Sequence, residues 1–253
     1  MLEGLRTAAA GMQAQQSKLD AVSNDLANAN TTGYKRLRVG FSDLLYEQGG
    51  RPTISNEAQV GTGSRAVQGG RTFEQGNLAQ TGNALDVAIN GRGFFEVLLP
   101  DGSPAYTRDG SFQINAQGEL VTNSGYPVQP GLQLPEGAQS VTIGSDGTVS
   151  VQVAGQAEAV QVGALTLADF VNPAGLQAKG ENLFVETGAS GPAQVGTPGS
   201  SGAGLLIQGS LESSNVNVVE ELVSMIETQR AYETNAKAIS TTDAMLGFLN
   251  NNL

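Results

Sequence analysis

The sequence predicts an α+β fold in which long N- and C-terminal helices form a coiled-coil-like core domain, with an inserted antiparallel β-rich domain and extended connectors. Three observations point there. An apolar residue recurs at alternating steps of three and four near the start, the same spacing returns near the end, and the middle is crowded with Gly, Val and turn dipeptides.

The first repeat runs through Leu5, Ala8, Met12, Gln15, Leu19, Val22, Leu26 and Ala29, with one glutamine interrupting it. A helix from Leu2 to Ala29 is roughly 42 Å long at the helical rise, and Gly11 weakens it by about 1 kcal/mol relative to alanine. The stretch NDLANANTTGYKR, residues 24–36, then dissolves the pattern. A helix leaves its last carbonyls unpaired, and Asn28, Asn30 and Gly33 are residue types that end it through side-chain bonds or a left-handed cap.

Between the repeats, ALDVAI (84–89), FFEVLL (94–99), SFQI (111–114), SVTI (140–143), TVSVQV (148–153) and AVQVGALTL (159–167) alternate apolar residues or run them together, as strands do. Asp101-Gly102, Asp109-Gly110, Gln117-Gly118 and Asp146-Gly147 separate them as turns. The intervals 34–70 and 188–215 are richer in Gly, Ser, Gln and Pro with weak periodicity, and read as connectors. The domain plan is therefore 1–33 with 215–253 as helical core, 34–70 with 191–214 as extended connector, and 71–190 as the β-rich domain.

The second repeat is Leu222, Met225, Gln229, Tyr232, Ala236, Ile239, Asp243, Leu246, Asn250 and Leu253, widened by Ile226 and Leu249. Asn217 is placed to cap it, with Glu220 and Glu221 at the positive end of the dipole. Both seams need a cover. They can pack on each other within one chain or on other copies.

Composition excludes much chemistry. The 253 residues hold 13 basic and 24 acidic side chains, a net charge of −11, so the positive field that holds nucleic acid is lacking. With no Cys, His or Trp, thiol nucleophiles, Ser-His-Asp triads and Cys/His metal sites are gone. The start has no basic segment followed by a continuous apolar run, and no stretch approaches a membrane span, so neither a cleaved signal peptide nor membrane insertion is expected. Gly61-Thr62-Gly63 and Gly91-Arg92-Gly93 lack the third glycine of a dinucleotide loop, and no lysine follows a glycine run as in a phosphate loop. Asp101, Asp109, Glu119 and Asp146 could supply the carboxylate pair of a glycan hydrolase, but three of them sit in turn dipeptides. No catalytic, metal or cofactor residue is assigned.

The residues also carry a resemblance. SNDLANANTTGYKR with FSDLLYE downstream, DVAINGRGFFEV, AYTRDGSF, and SSNVNVVEELVSMIETQRAYETNAKAISTTDAML resemble, in that order, the signature stretches of the flagellar rod and hook family. The last is most similar to distal-rod members. The resemblance implies a non-enzymatic structural subunit of the bacterial flagellar distal rod, without cofactor, that self-assembles into a rigid helical tube and transmits torque from motor to hook. A paralogous proximal-rod subunit or a hook-type axial protein is the alternative. A head-to-tail contact whose rotation does not close gives such a tube. The implied location is the periplasmic rod of the basal body, after export without a cleaved signal peptide. The implied partners are further copies of itself, proximal rod subunits, the hook protein, the surrounding ring bushing and the flagellar export apparatus.

On this reading the self-assembly residues are Leu5, Met12, Leu19, Val22 and Leu26 with Leu222, Ile226, Tyr232, Ile239 and Leu246. Tyr34, Lys35 and Arg36 lead outward as an inter-subunit connector, where the ring packs on a neighbour and the bases meet acidic surfaces; plain solvation is the competing reading for the two bases. The short segment QGGRPTISNEAQV, residues 48–60, stands where relatives have a longer one, and its Arg51, Ile54 and Val60 are expected to touch an adjacent subunit.

Overall fold

The computed structural model of the protein describes residues 2–43, 46–47, 60–61, 63–135, 137–153, 158–200 and 202–251. The chain divides into two compact units, the first made of residues 1–27, 37–70 and 217–253, the second of residues 28–36 and 71–216.

The first unit contains both α-helices found among the described residues, α1 (Leu2–Ala27) and α2 (Val218–Asn251), which pack on each other. Asn217 caps α2 as its residue type suggests: its Oδ1 accepts from the Val219 amide at 3.1 Å and its carbonyl accepts from the Glu221 amide at 3.0 Å. Beside the helices, the strand Leu37–Asp43 pairs with Ser64–Arg71, and Tyr46–Glu47 pairs antiparallel with Val60–Gly61. The buried Asp25 carboxylate fastens the first of these to α1, accepting from the Leu37 amide at 3.1 and 3.2 Å.

The coiled-coil-like helical core is the expectation that the structure corrects. Two helices are present, but the core of the molecule is β. On α1 the buried side chains are Ala14, Ala21, Val22 and Asp25, and on α2 they are Glu221 and Thr228, whereas Leu222 and Ile226 are 43% and 50% exposed. The physical reason lies in the seams themselves. The buried positions of α2, Glu221 and Thr228, are polar, and where Gly11 of α1 meets Asn235 an added Cβ would stand 3.2 Å from the side-chain nitrogen of Asn235. Close approach of small residues brings these helices together, and it buries little apolar area.

The second unit holds the apolar mass. Val87, Ile89, Phe95, Val97, Ala105, Phe112, Val149, Leu165, Leu167 and Leu206 belong to one cluster of buried side chains contributed by many short strands. A second cluster is largely aromatic: Phe94, Tyr106, Phe170 and Phe184, with Phe73 packed against them, meet edge to face at centroid distances of 4.8 to 6.2 Å. The largest sheet runs Gln177–Gly180, Leu183–Val185, Pro104–Thr107, Phe95–Leu98, and a three-stranded meander runs Ala138–Ile143, Thr148–Val153, Val160–Ala164. Segments late in the chain close the structure. Leu205–Gln208 pairs with Val87–Asn90, Ser210–Glu212 with Leu78–Gln80, and Gln194–Gly196 with Leu167–Asp169.

Candidate functional site

The distinctive chemistry of the second unit is a buried ionic cluster at the passages by which the chain enters and leaves it. After α1 the chain turns: the Thr31 amide donates to the Asn28 carbonyl at 3.1 Å and Gly33 takes φ +66°. A Cβ on Gly33 would lie 2.7 Å from the backbone nitrogen of Asp109, so a side chain here would meet both a left-handed backbone and a neighbouring strand end. This tight passage brings Lys35 inward. Its ammonium is fully buried, 2.5 Å from Glu212 Oε1 and 2.8 Å from the Glu74 carbonyl.

Glu212 is equally buried and engages on all sides. Its Oε1 also accepts from the Gly76 amide at 2.8 Å, its Oε2 faces Arg108 Nη1 at 3.4 Å, and its carbonyl accepts from the Gly33 amide at 2.8 Å. The Arg108 guanidinium lies 5.1 Å from the centroid of the Phe94 ring, a cation–π contact in a dry setting, while its Nε is buried with no hydrogen-bond partner among the described residues. Burial pushes both the Lys35 ammonium and the Arg108 guanidinium below their ordinary pKa values, and the Glu212 carboxylate opposes that in each case. A buried pair of this kind is costly to form, and removing one partner is worse because the other charge is stranded.

Asn215 laces the neighbouring strands of chain. Its Oδ1 accepts from the Arg36 amide at 2.8 Å, its Nδ2 donates to the carbonyls of Thr72 at 2.8 Å and Glu74 at 3.2 Å, and its amide donates to the Tyr34 carbonyl at 3.4 Å. Arg71 closes over the top: its Nη1 donates to the Lys35 carbonyl at 2.5 Å and its guanidinium sits 5.0 Å from the Tyr34 ring centroid. From the opposite side Asn182, in a two-residue hairpin turn where Glu181 and Asn182 both have positive φ, donates to the Thr32 carbonyl at 2.8 Å.

Three regions of the chain match known family domains: residues 5–35 the flagella basal body rod protein domain, 88–151 the flagellar hook protein FlgE/F/G D1 domain, and 207–252 the C-terminal domain of flagellar basal body rod FlgEFG proteins. Lys35, Arg108 and Glu212 fall one in each. Over 254 residues the chain is 50% identical to the flagellar basal-body rod protein FlgG of Buchnera aphidicola subsp. Schizaphis graminum, covering 97% of this chain and 98% of the relative. It is 49% identical over 261 residues to that of Borreliella burgdorferi, covering 99% and 98%. The chain belongs to the flagellar basal-body rod protein FlgG family. A hook-basal body complex protein of Bacillus subtilis, FlhP, is more distant at 32% identity over 272 residues, with 99% of each chain covered. As a member of the FlgG family, this is a structural protein of the flagellar basal-body rod.

The residues expected to serve this FlgG-family chain in assembly take varied positions. Val22 is buried, Leu5, Met12, Leu19, Leu26 and Ile239 are half-buried, and Leu222, Ile226 and Tyr232 are exposed. Leu246 lies in α2 and Val60 in the strand Val60–Gly61, while Arg51 and Ile54 lie outside the described residues. Tyr34 and Lys35 are buried within the second unit, and Arg36 is half-buried there. The carboxylates weighed for glycan hydrolysis each serve a local loop: Asp101, Asp109 and Asp146 accept from Ser103, Ser111 and Thr148, two residues on, and Glu119 accepts from Asn115. Among the described residues no group of three or more His, Cys, Asp or Glu could hold a metal ion, and no helix is long and apolar enough to cross a membrane.

Glu212, Arg108, Asn215 and Asn182 are the residues that sequence reasoning missed. Arg108 and Asn215 sit inside stretches that carried the resemblance, but nothing local marks them as buried. Glu212 was the most findable, a lone acid beside Leu211 in a run otherwise free of charge from Leu205 to Val219.

Proposed function

We propose that this chain builds the distal rod as a helical homopolymer, a rigid tube that carries torque from motor to hook. The observation that carries this reading is the outward face of α2. Val218, Val219, Leu222, Val223 and Ile226 are 42 to 69% exposed, and at about 100° per residue they fall within one sector of about 140°. An apolar stripe of that kind calls for cover, and a second copy of the same chain supplies it in a repeating head-to-tail contact that does not close into a ring. The half-buried Leu5, Met12, Leu19 and Leu26 of α1 extend the contact. The tube stands in the periplasm and works without catalysis or cofactor. Its neighbours are proximal rod subunits below, the hook protein above and the ring bushing around it, and the export apparatus delivers its subunits.

Replacing Ile226 with Asp tests the reading. The purified variant should stay folded and sediment as monomer under conditions in which the parent chain polymerises, and cells relying on it should not swim. Rods of normal length and full motility from the variant would remove α2's outward face from the assembly contact.

A further inference from the structure

The buried cluster has a direction as well as a charge. The Gly33 amide bonds to the Glu212 carbonyl and the Asn215 amide to the Tyr34 carbonyl, so residues 33–36 and 212–215 run parallel. α1 precedes the first segment and α2 follows the second. Force that enters the first segment from its N-terminal side and leaves the second from its C-terminal side therefore pulls these parallel segments from opposite ends. In that geometry every cross-bond is strained together, whereas segments pulled from the same end open one bond at a time. The third passage, residues 72–76, is tied to both through the Lys35–Glu74, Asn215–Thr72 and Glu212–Gly76 bonds.

We infer that segments 33–36, 72–76 and 212–215 form a shear clasp, which carries load arriving through α1 and α2 across Lys35, Glu212 and Asn215 and keeps the second unit shut under pull. The Lys35–Glu212 bond is charge-assisted and short, a class roughly twice as strong as neutral hydrogen bonds, so it carries the largest share of a load placed on the three passages together. The inference rests on the rod reading only for the source of the load.

The test is optical-tweezers pulling on single full-length chains. Because the chain contains no cysteine, handles can be attached uniquely through Ala27→Cys and Val219→Cys, which load the clasp, or through Ala116→Cys and Gln177→Cys, which load the second unit along another axis. With helix handles, Glu212→Gln should speed opening of the second unit at fixed force about 100-fold, and Asn215→Ala, which leaves the ion pair intact, about 10-fold. With the other handles both variants should open less than about 3-fold faster. Should Glu212→Gln fail to fold, Asn215→Ala decides. Equal acceleration along both axes would make the cluster a stabilising core feature only, and no acceleration along the helix axis would remove it from the load path; either overturns the inference. Dilute single chains form no polymer, so this outcome is separate from that of the assembly test.

Discussion

The second unit and the first spend the same kinds of residue in opposite ways. In the second, Val87, Ile89, Phe95, Val97 and Leu167 are sealed from solvent, and even Lys35 and Glu212 are inside with partners. In the first, helices of 26 and 34 residues meet through small and polar side chains and turn Leu222, Val223 and Ile226 outward. One unit completes its burial within a single chain, and the other leaves apolar surface exposed, which in the proposed rod further chains cover. A polymer subunit needs both, a body that keeps its shape and a surface whose free energy is released only on assembly.

The contrast is broken most severely at Glu212. Its replacement by Ala strands two buried cations, so urea unfolding of the second unit should show a loss of about 3–5 kcal/mol, while the helical far-ultraviolet signal of the first changes far less. Equal loss of both signals would mean that the two units do not differ in this way. Gly33→Ala should cost about 1–3 kcal/mol, because alanine must adopt a left-handed backbone against Asp109; a midpoint unchanged from the parent would show that the turn relaxes freely. Leu222→Asp should move the unfolding free energy by no more than about 0.5 kcal/mol and yet abolish polymerisation in a sedimentation assay. A folded variant that still polymerised would put the assembly surface elsewhere.

The smallest effect tests how local the loops of the second unit are. The Asp101 carboxyl is held down to about 2, chiefly by the Ser103 hydroxyl at 2.5 Å, then by the Ser103 amide and Lys179. Because the folded value lies below the ordinary one, this group's stabilisation is present above about pH 4 and is lost as pH falls toward about 2. Ser103→Ala should raise the Asp101 titration midpoint toward its ordinary range in an NMR pH series without altering the rest of the spectrum. A midpoint that stays near 2 would assign the shift to the Ser103 amide and Lys179 instead of the hydroxyl.

Period and turn chemistry made much of this legible in advance. TVSVQV is the strand Thr148–Val153, FFEVLL contains Phe95–Leu98, and the long α2 begins where Asn217 can cap it. The short strands were opaque. Gln194–Gly196 and Ser210–Glu212 span three residues each, too few to display alternation, and they are set by the partners they meet far along the chain. The helical seams misled for the complementary reason: a three-four repeat specifies a face, but it does not say whether that face is buried in the same chain. The ionic cluster was half visible. Lys35 stood out in GYKR as a basic residue leaving a helix, which suggested the surface, whereas a charge is kept inside only by partners, and those lie 39 and 177 positions away in the Glu74 carbonyl and the Glu212 carboxylate.

The separation of Lys35 from Glu212, 177 positions along the chain, also bears on time. Contacts so distant in sequence close late, since the loop entropy is lost before any bond repays it. A ribosome adding about 5–20 residues each second needs roughly 10–35 s to travel from one to the other. For that interval the emerging N-terminal segment has met neither Glu212 nor Asn215, and the second unit cannot shut. The strands of the middle can pair while synthesis continues, but the entry and exit passages of the unit lock only once residues 212–215 have been made.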